Sequence, residues 1–172
     1  MDDIFWLEAF GIKDELFSVE RNEFMEKFIS INYGPWERLN NNQPFVPGFD
    51  AKPAGANFYP VDMTKEEFEA WDDSTKNSLY TLIRRGEDGK LVSVPYHVAF
   101  EGQIKEAAGL LNKAAELAED EGLKNYLEKR AEALLTDEYF ESDIAWMEMK
   151  NNTIAFIIGP IESYEDQLFG YK

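Results

Sequence analysis

Apolar side chains near the start of the chain recur at helical spacing. Residues 2–31 are typical of two helical pieces, the first ending at Gly11 and the second capped by Ser18. Residues 44–63 differ, because they interleave Pro and Gly with aromatic side chains. Flexible linkers rarely carry so much aromatic surface, so this stretch is predicted to be an ordered, irregular connection whose rings pack on a neighbour.

The middle of the chain combines a helix start with a strand–turn–strand pattern. Thr64 and Glu67 have the spacing of a capping box, which predicts a short helix over 65–71. Residues 79–85 and 90–94 are rich in β-forming side chains and flank the turn Gly86-Glu87-Asp88-Gly89. This pattern predicts an antiparallel β-hairpin near 79–94.

Two long amphipathic patterns dominate the second half of the chain. Apolar residues with a period near 3.6 predict one helix over 98–120 and a second over 123–135, with Gly122 breaking the first helix. The short connection predicts that the two helices form an antiparallel hairpin. Either Asp137 or Ser142 is expected to cap a further helix.

A last apolar run is predicted to form a buried strand, with Ile154, Phe156, Ile157 and Ile158 in the core. Such a strand needs partners on its sides, and the sequence reaches Lys172 soon after it. We therefore expect residues 1–172 to be a single domain or subdomain, and a fragment of a larger protein. The predicted fold class is α+β, mostly helical, with a long helical hairpin and a small antiparallel sheet that includes the β-hairpin.

Composition narrows the function classes. Acidic residues number 34 against 17 Lys and Arg, which gives a net charge of −17. Nucleic acids and anionic membranes are bound through basic side chains, so neither is an expected partner. No apolar run is long enough for a membrane helix, and the start lacks the basic region of a signal peptide. A cytoplasmic location is expected, with a periplasmic one left open.

Candidate catalytic residues are few. The chain has no cysteine, which excludes disulfides, cysteine-ligated metals and thiol catalysis. Its one histidine, His97, is interpreted as a residue that starts a helix and not as a catalytic base. No phosphate-binding glycine loop and no zinc-binding His pair occur, so no metal site and no cofactor are expected in the chain itself.

Glu162 and Tyr164 are the exception. They follow an apolar run and a Gly-Pro turn, and alternate positions of an extended chain face the same side. The carboxylate is suited to bind the α-ammonium of a peptide, and the phenol is suited to donate a hydrogen bond to a carbonyl oxygen. The alternative left open is a surface glutamate beside a packed tyrosine.

Several stretches resemble the dipeptidyl-peptidase III family, the M49 zinc metallopeptidases that remove dipeptides from peptide N-termini. The stretches are DIFWL at 3–7, INYGPWERL at 31–39, PAGANFYPVDMTKEE at 53–67, residues 79–85 with 95–97, residues 134–136, and IGPIESYEDQLFGYK at 158–172. The last is similar to the family's I-E-T-Y segment, with Ser163 in place of threonine. The resemblance implies that Glu162 holds the free N-terminus of the substrate and that Tyr164 assists catalysis near the scissile carbonyl.

The zinc motif of that family, H-E-x-x-G-H with a later glutamate ligand, does not occur in the chain. The resemblance therefore implies the N-terminal, non-zinc part of a two-lobed bacterial enzyme, with zinc bound by the rest of the enzyme and no activity from this part alone. Some plant relatives carry a Nudix domain ahead of this region, but no Nudix box occurs here. The alternative is a free-standing acidic interaction module without enzymatic activity.

Two partners are expected. In the intact enzyme the partner is the peptide substrate. The isolated chain is expected to self-associate through apolar surface that the rest of a larger protein would cover, at Phe156, Ile158, Leu168, Phe169 and Tyr171.

Overall fold

The computed structural model describes residues 1–11, 16–17, 22–161 and 165–172. The helices, numbered in chain order, are α1 (Asp2–Ala9), α2 (Glu23–Asn32), α3 (Lys65–Ala70), α4 (Tyr96–Ala99), α5 (Glu101–Leu117), α6 (Glu121–Thr136) and α7 (Phe140–Glu148). The strands are β1 (Trp36–Glu37), β2 (Gln43–Pro44), β3 (Thr81–Arg85) and β4 (Leu91–Pro95), and they form the pairs β1-β2 and β3-β4. The predicted α+β, mostly helical fold class is confirmed.

The chain divides into two compact units. The first consists of Val94–Glu162 with Met1, and we call it the helical unit. The second consists of Asp2–Ser93 with Ser163–Lys172, and we call it the aromatic unit.

In the helical unit, α5 and α6 form the predicted helical hairpin and α7 packs against α6. The buried face of α5 consists of residues spaced three and four apart: Ile104, Ala108, Leu111 and Ala115. Two of these four are alanines, whose small side chains allow a neighbouring backbone to come close. The stripe is therefore the amphipathic pattern that the sequence predicted.

The ends of the helices in this unit differ from the prediction. The helix predicted over 98–120 is two helices, α4 and α5, which meet at Phe100. Gly122 does not end the preceding helix but lies in the first turn of α6. Asp120 caps this helix by accepting the N–H of Leu123 at 2.8 Å. The Asp120 carboxylate thereby accepts one of the first backbone N–H groups, which have no partner within the helix.

Neither residue predicted to cap the next helix does so. Asp137 ends α6 in the left-handed conformation, with φ 62°. Tyr139 precedes α7 without a side-chain cap, and the buried Ser142 donates its Oγ–H to the Tyr139 carbonyl at 2.7 Å.

The predicted final strand is wrong. Residues 153–158 form no strand, and the side chains of Ile154 and Ile157 are 61% and 52% exposed. In the part of the chain that is described, the paired strands are β1 with β2 and β3 with β4, so this run exchanges no ladder hydrogen bonds with a neighbour. An apolar run becomes a strand only where a neighbouring edge pairs with its backbone.

The aromatic unit is built around a core that α1 and α2 share with the segment that follows them. Four buried residues form its centre: Trp6, Leu16, Ile29 and Val46. In the Pro- and Gly-rich stretch 44–63, Phe58 and Tyr59 are 0% and 4% exposed. The stretch is therefore the ordered connection that its aromatic content predicted.

The capping box and the β-hairpin predicted in this unit are both found in the structure. Thr64 accepts the N–H of Glu67 at 3.1 Å, which confirms the capping box of α3. In the β3–β4 hairpin, also confirmed, Gly86 donates its N–H to the Lys90 carbonyl at 2.8 Å. Helix α2 is capped by Asn22, and Ser18, which the sequence predicted as a cap, lies outside the described residues.

Candidate functional site

The predicted substrate-binding residues Glu162 and Tyr164 lie outside the described residues. The described residues nearest to them in the sequence are Gly159–Ile161 before and Glu165–Lys172 after. A buried arginine lies against the first flank and buried charged side chains anchor the second, and each flank is described within its own unit.

In the helical unit, Gly159 lies against Arg130. Gly159 has φ 137°, which L side chains rarely adopt, and a Cβ atom there would lie 3.1 Å from Nη1 of Arg130 and 3.4 Å from the ring of Tyr139. Arg130 is 4% exposed, and its guanidinium carbon lies 5.4 and 5.3 Å from the ring centroids of Tyr126 and Tyr139. The turn before the candidate site thus has both the backbone conformation and the close contact that select glycine.

The charge of Arg130 is paired. Its Nη2 forms an ion pair with Asp143 of α7, so the arginine links α6 to α7. Burial raises the pKa of the Tyr126 phenol, and the positive charge of Arg130 opposes that shift. A buried cation without such a partner would strongly destabilise the fold, so this pairing supports the packing of α7 and of the Gly159 turn.

In the aromatic unit, the carboxylate of Asp166 accepts hydrogen bonds from the backbone that follows it. Four backbone N–H groups donate to it over 2.9–3.1 Å, those of Leu168, Phe169, Tyr171 and Lys172. The phenol of Tyr59 donates a further hydrogen bond to Oδ2 at 2.8 Å. Asp166 is 6% exposed, and these donors replace the water that a buried carboxylate loses.

Glu165 follows Tyr164 in the sequence and is held by two cations. Its carboxylate lies 2.6 Å from Nη1 of Arg38 and forms a second ion pair with Lys52. The side chains of Glu165 and Lys52 are only 4% and 9% exposed. Removing one partner of such a buried group leaves an unpaired charge, so this residue is strongly fixed.

Lys172 completes the buried polar groups of this flank. Its Nζ donates to the carbonyls of Ser78 and Lys76 at 2.6 and 3.0 Å and to Thr81 Oγ1 at 2.7 Å. Burial lowers the pKa of Lys172 from 10.5 to about 8, and the negative charges of Asp166 and Asp73 oppose that shift.

The aromatic residues of this flank pack within the aromatic unit. Phe169 stacks on Phe68 with ring centroids 4.4 Å apart, and Tyr171 stacks on Phe169 at 5.7 Å. Leu168, Phe169 and Tyr171, which the sequence predicted to be exposed, are therefore only partly accessible. In the helical unit Phe156 is 39% exposed, and Ile158 is partly buried.

His97 lies at the start of α4, as interpreted from the sequence. Its Nδ1 is 2.7 Å from Oδ2 of Asp137, and the same oxygen accepts the backbone N–H of His97 at 3.2 Å. The carboxylate at the end of α6 therefore fixes the first turn of α4, which is a structural use of both residues.

Within residues 1–11, 16–17, 22–161 and 165–172, no group of three or more His, Cys, Asp or Glu side chains is arranged to hold a metal ion. No helix among these residues is long and apolar enough to cross a membrane.

The anchoring roles of Glu165, Asp166 and Lys172 were not predicted from the sequence. The partners of the two acids are distant along the chain, with Lys52 lying 113 residues from Glu165 and Tyr59 lying 107 residues from Asp166. The local signal that points to them is a pair of adjacent acids at the head of a segment rich in apolar and aromatic side chains.

Comparison with known proteins identifies relatives that match over part of their length. No family model matches the chain. The solved structure of dipeptidyl-peptidase III from Caldithrix abyssi is 42% identical with a TM-score of 0.92, over 99% of this chain and 34% of that one. The enzyme from Corallococcus sp. strain EGB is 36% identical with a TM-score of 0.86, over 96% of this chain and 33% of that one.

A curated plant protein also aligns. Nudix hydrolase 3 of Arabidopsis thaliana is 29% identical over 234 residues, which cover 100% of this chain and 30% of that protein. The chain thus spans about a third of the length of each of these relatives. With sequence and fold in agreement over almost all of its residues, the chain matches the N-terminal portion of the dipeptidyl-peptidase III family, and the resemblance found in the sequence is confirmed.

Proposed function

We propose that this chain is the N-terminal, non-zinc part of a zinc-dependent dipeptidyl peptidase that removes dipeptides from peptide N-termini. The observation that supports the proposal is the 42% identity to dipeptidyl-peptidase III from Caldithrix abyssi over 99% of this chain, with a TM-score of 0.92. A shared fold alone would be a weak argument for a shared function. Identity at this level over nearly every residue makes the argument stronger.

In this proposal the chain binds and orients the peptide. The carboxylate of Glu162 binds the α-ammonium, and the Tyr164 phenol donates a hydrogen bond to the scissile carbonyl oxygen. The charge-assisted hydrogen bond between Glu162 and the α-ammonium contributes roughly 1.5 to 3 kcal/mol. Holding the peptide in a reactive position contributes to hydrolysis by lowering the entropic part of the barrier. In this proposal the hydrolytic centre lies in the rest of the enzyme and not in residues 1–172.

An activity assay tests the negative side of this proposal. The isolated chain, supplied with zinc and dipeptidyl-arylamides, is expected to show no turnover above background. Turnover that a chelator abolishes would contradict the proposal that the hydrolytic centre lies outside this chain.

A binding assay tests the positive side. A tetrapeptide with a free N-terminus is expected to bind more tightly than the same peptide with an acetylated N-terminus, since acetylation removes the ammonium. Glu162→Gln is expected to remove this preference. A Glu162→Gln variant that keeps the full preference would refute the role of Glu162.

A free-standing interaction module is the second candidate. It is favoured by the exposed apolar run around Ile154 and Ile157, which has no paired strand among the described residues. Such a run is suited to receive a strand from another chain. The two functions separate at Glu162→Gln, which changes peptide preference under the first proposal and changes nothing under the second.

A further inference from the structure

We propose that the segment leading into β3 forms a binding site for a primary ammonium group, which the chain fills with its own Lys172. Three oxygens converge on the Nζ of Lys172: the carbonyls of Lys76 and Ser78, at 3.0 and 2.6 Å, and the hydroxyl of Thr81, at 2.7 Å. Residues 76–81 supply all three, and we call these three oxygens the oxygen cage.

The oxygen cage matches the chemistry of a primary ammonium. Such a group has three N–H donors and no acceptor, and the cage offers it three acceptors within hydrogen-bond distance. The fourth substituent of the nitrogen is carbon, which in the folded chain is the stem of Lys172. Any small cation with three N–H groups and one short carbon substituent is therefore a fitting occupant.

Contacts that do not involve Lys172 hold the oxygens of the cage in place. The carboxylate of Asp73 accepts the backbone N–H and the hydroxyl of Thr75 at 2.7 and 2.6 Å, and the Thr75 carbonyl accepts the N–H of Ser78 at 2.9 Å. The Thr81 hydroxyl donates to the Thr75 carbonyl at 3.3 Å, which leaves its lone pairs for the ammonium. The cage therefore keeps its arrangement when the lysine side chain is cut back.

The surroundings of the cage require a positive charge. Lys172 and Asp166 are 7% and 6% exposed, so water does not replace a missing cation freely. Although burial lowers the pKa of Lys172, the negative charges of Asp166 and Asp73 oppose that shift and favour a cation at this position. Without one, buried carbonyl and carboxylate oxygens would lie near each other with no donor or charge between them.

The experiment uses the complete 172-residue chain with Lys172→Ala, which removes the ammonium and empties the channel of the lysine stem. Methylammonium is the probe, because it reproduces Nζ with its three N–H groups and one carbon. Tetramethylammonium has the same charge and no N–H donor, so it serves as the salt control at equal concentration. Methylammonium is expected to raise the Tm of Lys172→Ala by about 3 to 5 °C over this control once it exceeds its Kd roughly tenfold.

Two further variants locate the effect at the cage. Lys172→Met is the matched control, since its side chain fills the channel without a charge, and its Tm is expected to be equal in the two salts. Adding Thr81→Val to Lys172→Ala removes one of the three oxygens, and it is expected to weaken methylammonium binding roughly tenfold.

A local measurement separates binding at the cage from a general effect of salt. In ¹⁵N-labelled Lys172→Ala, the amide signals of Ser78 and Thr81 are expected to shift saturably with methylammonium and to stay in place with tetramethylammonium. The Kd from these shifts is expected to agree with the Kd from the rise in Tm.

A saturable rise in Lys172→Ala that is absent in Lys172→Met supports the site. Equal Tm values for Lys172→Ala in the two salts, with no amide shifts at Ser78 and Thr81, would overturn it, and so would an equal response of Lys172→Met. If Lys172→Ala is unfolded in tetramethylammonium, methylammonium is expected to restore its far-UV circular dichroism. A chain that stays unfolded at saturating methylammonium would also refute the proposal.

Discussion

At the scale of single residues, Lys172 makes the stability of the aromatic unit depend on pH. Burial lowers its pKa to about 8 in the folded chain, against 10.5 for a free lysine. Between these values the unfolded chain binds more protons than the folded chain, so the free energy of unfolding rises as the pH is raised from 8 to 10.5. The expected gain is on the order of 2 kcal/mol, after allowance for solvent screening.

Denaturant unfolding across this pH window measures the effect. The comparison is with Lys172→Met, which has no titrating amine and is expected to lack this contribution to the pH slope. Other lysines and tyrosines titrate in both proteins and cancel in the difference. Equal slopes for the two proteins would show that Lys172 is not desolvated in the folded chain.

Single residues also mark the limit of what the sequence predicts. The sequence predicts Glu162 and Tyr164 as site residues from the Gly-Pro turn before them and from the family resemblance. Both stay predictions, because they lie outside the described residues. For the buried Asp166 the sequence offers only the pair of adjacent acids ahead of an apolar segment, and for the buried Lys172 it offers no local signal. Charged residues are expected at the surface, and only partners such as Tyr59 and Thr81, far away in the sequence, reveal the exception.

At the scale of secondary structure, α3 is too short to be stable without its caps. Six residues form little helix alone, since nucleation is costly. Thr64 caps its start, and the ammonium of Lys76 closes its end by donating to the carbonyls of Phe68 and Glu69 at 3.0 and 3.1 Å and to that of Trp71. A cation at this end also interacts favourably with the helix dipole.

Lys76→Met is therefore expected to lower the free energy of unfolding by about 1 to 2 kcal/mol, because it leaves carbonyl groups at the end of α3 without their donor. The matched control is Lys90→Met, since Lys90 is highly exposed and forms an ion pair with the exposed Asp88 at the hairpin turn. It is expected to change stability by less than half a kcal/mol or so. Thermal or urea unfolding of both variants makes the comparison, and equal losses would contradict the capping role.

Elements with strong periodicity were predicted well, and their ends were not. The α5 and α6 stripes repeat over several turns, so local sequence determines them. Asp137 is of a residue type that often caps the start of a helix. Its carboxylate is instead bound by His97, which lies 40 residues away in the sequence, and Asp137 ends α6 without starting α7. The final strand failed for a related reason, because strand formation depends on a paired edge that sequence periodicity does not supply.

At the scale of the whole molecule, exposed apolar surface and net charge oppose each other. The run 153–161 contains no charged residue, and Ile154, Ile157 and Ile161 are each more than half exposed. Such a patch favours contact with a second copy of the chain. The net charge of −17 repels that copy, and this repulsion is screened over roughly 10 Å at 0.1 M salt and over about 3 Å at 1 M.

We therefore expect self-association to increase with salt, since salt screens the charge repulsion and leaves the apolar contact in place. Light scattering or sedimentation velocity at low and high sodium chloride measures it. The double variant Ile154→Ser with Ile157→Ser is expected to stay monomeric at both concentrations. Leu39→Ser, at a fully exposed leucine of the aromatic unit, is the control and is expected to associate as the unmodified chain does. A clean monomer at high protein and high salt would show that the apolar run is too small to hold two acidic chains together.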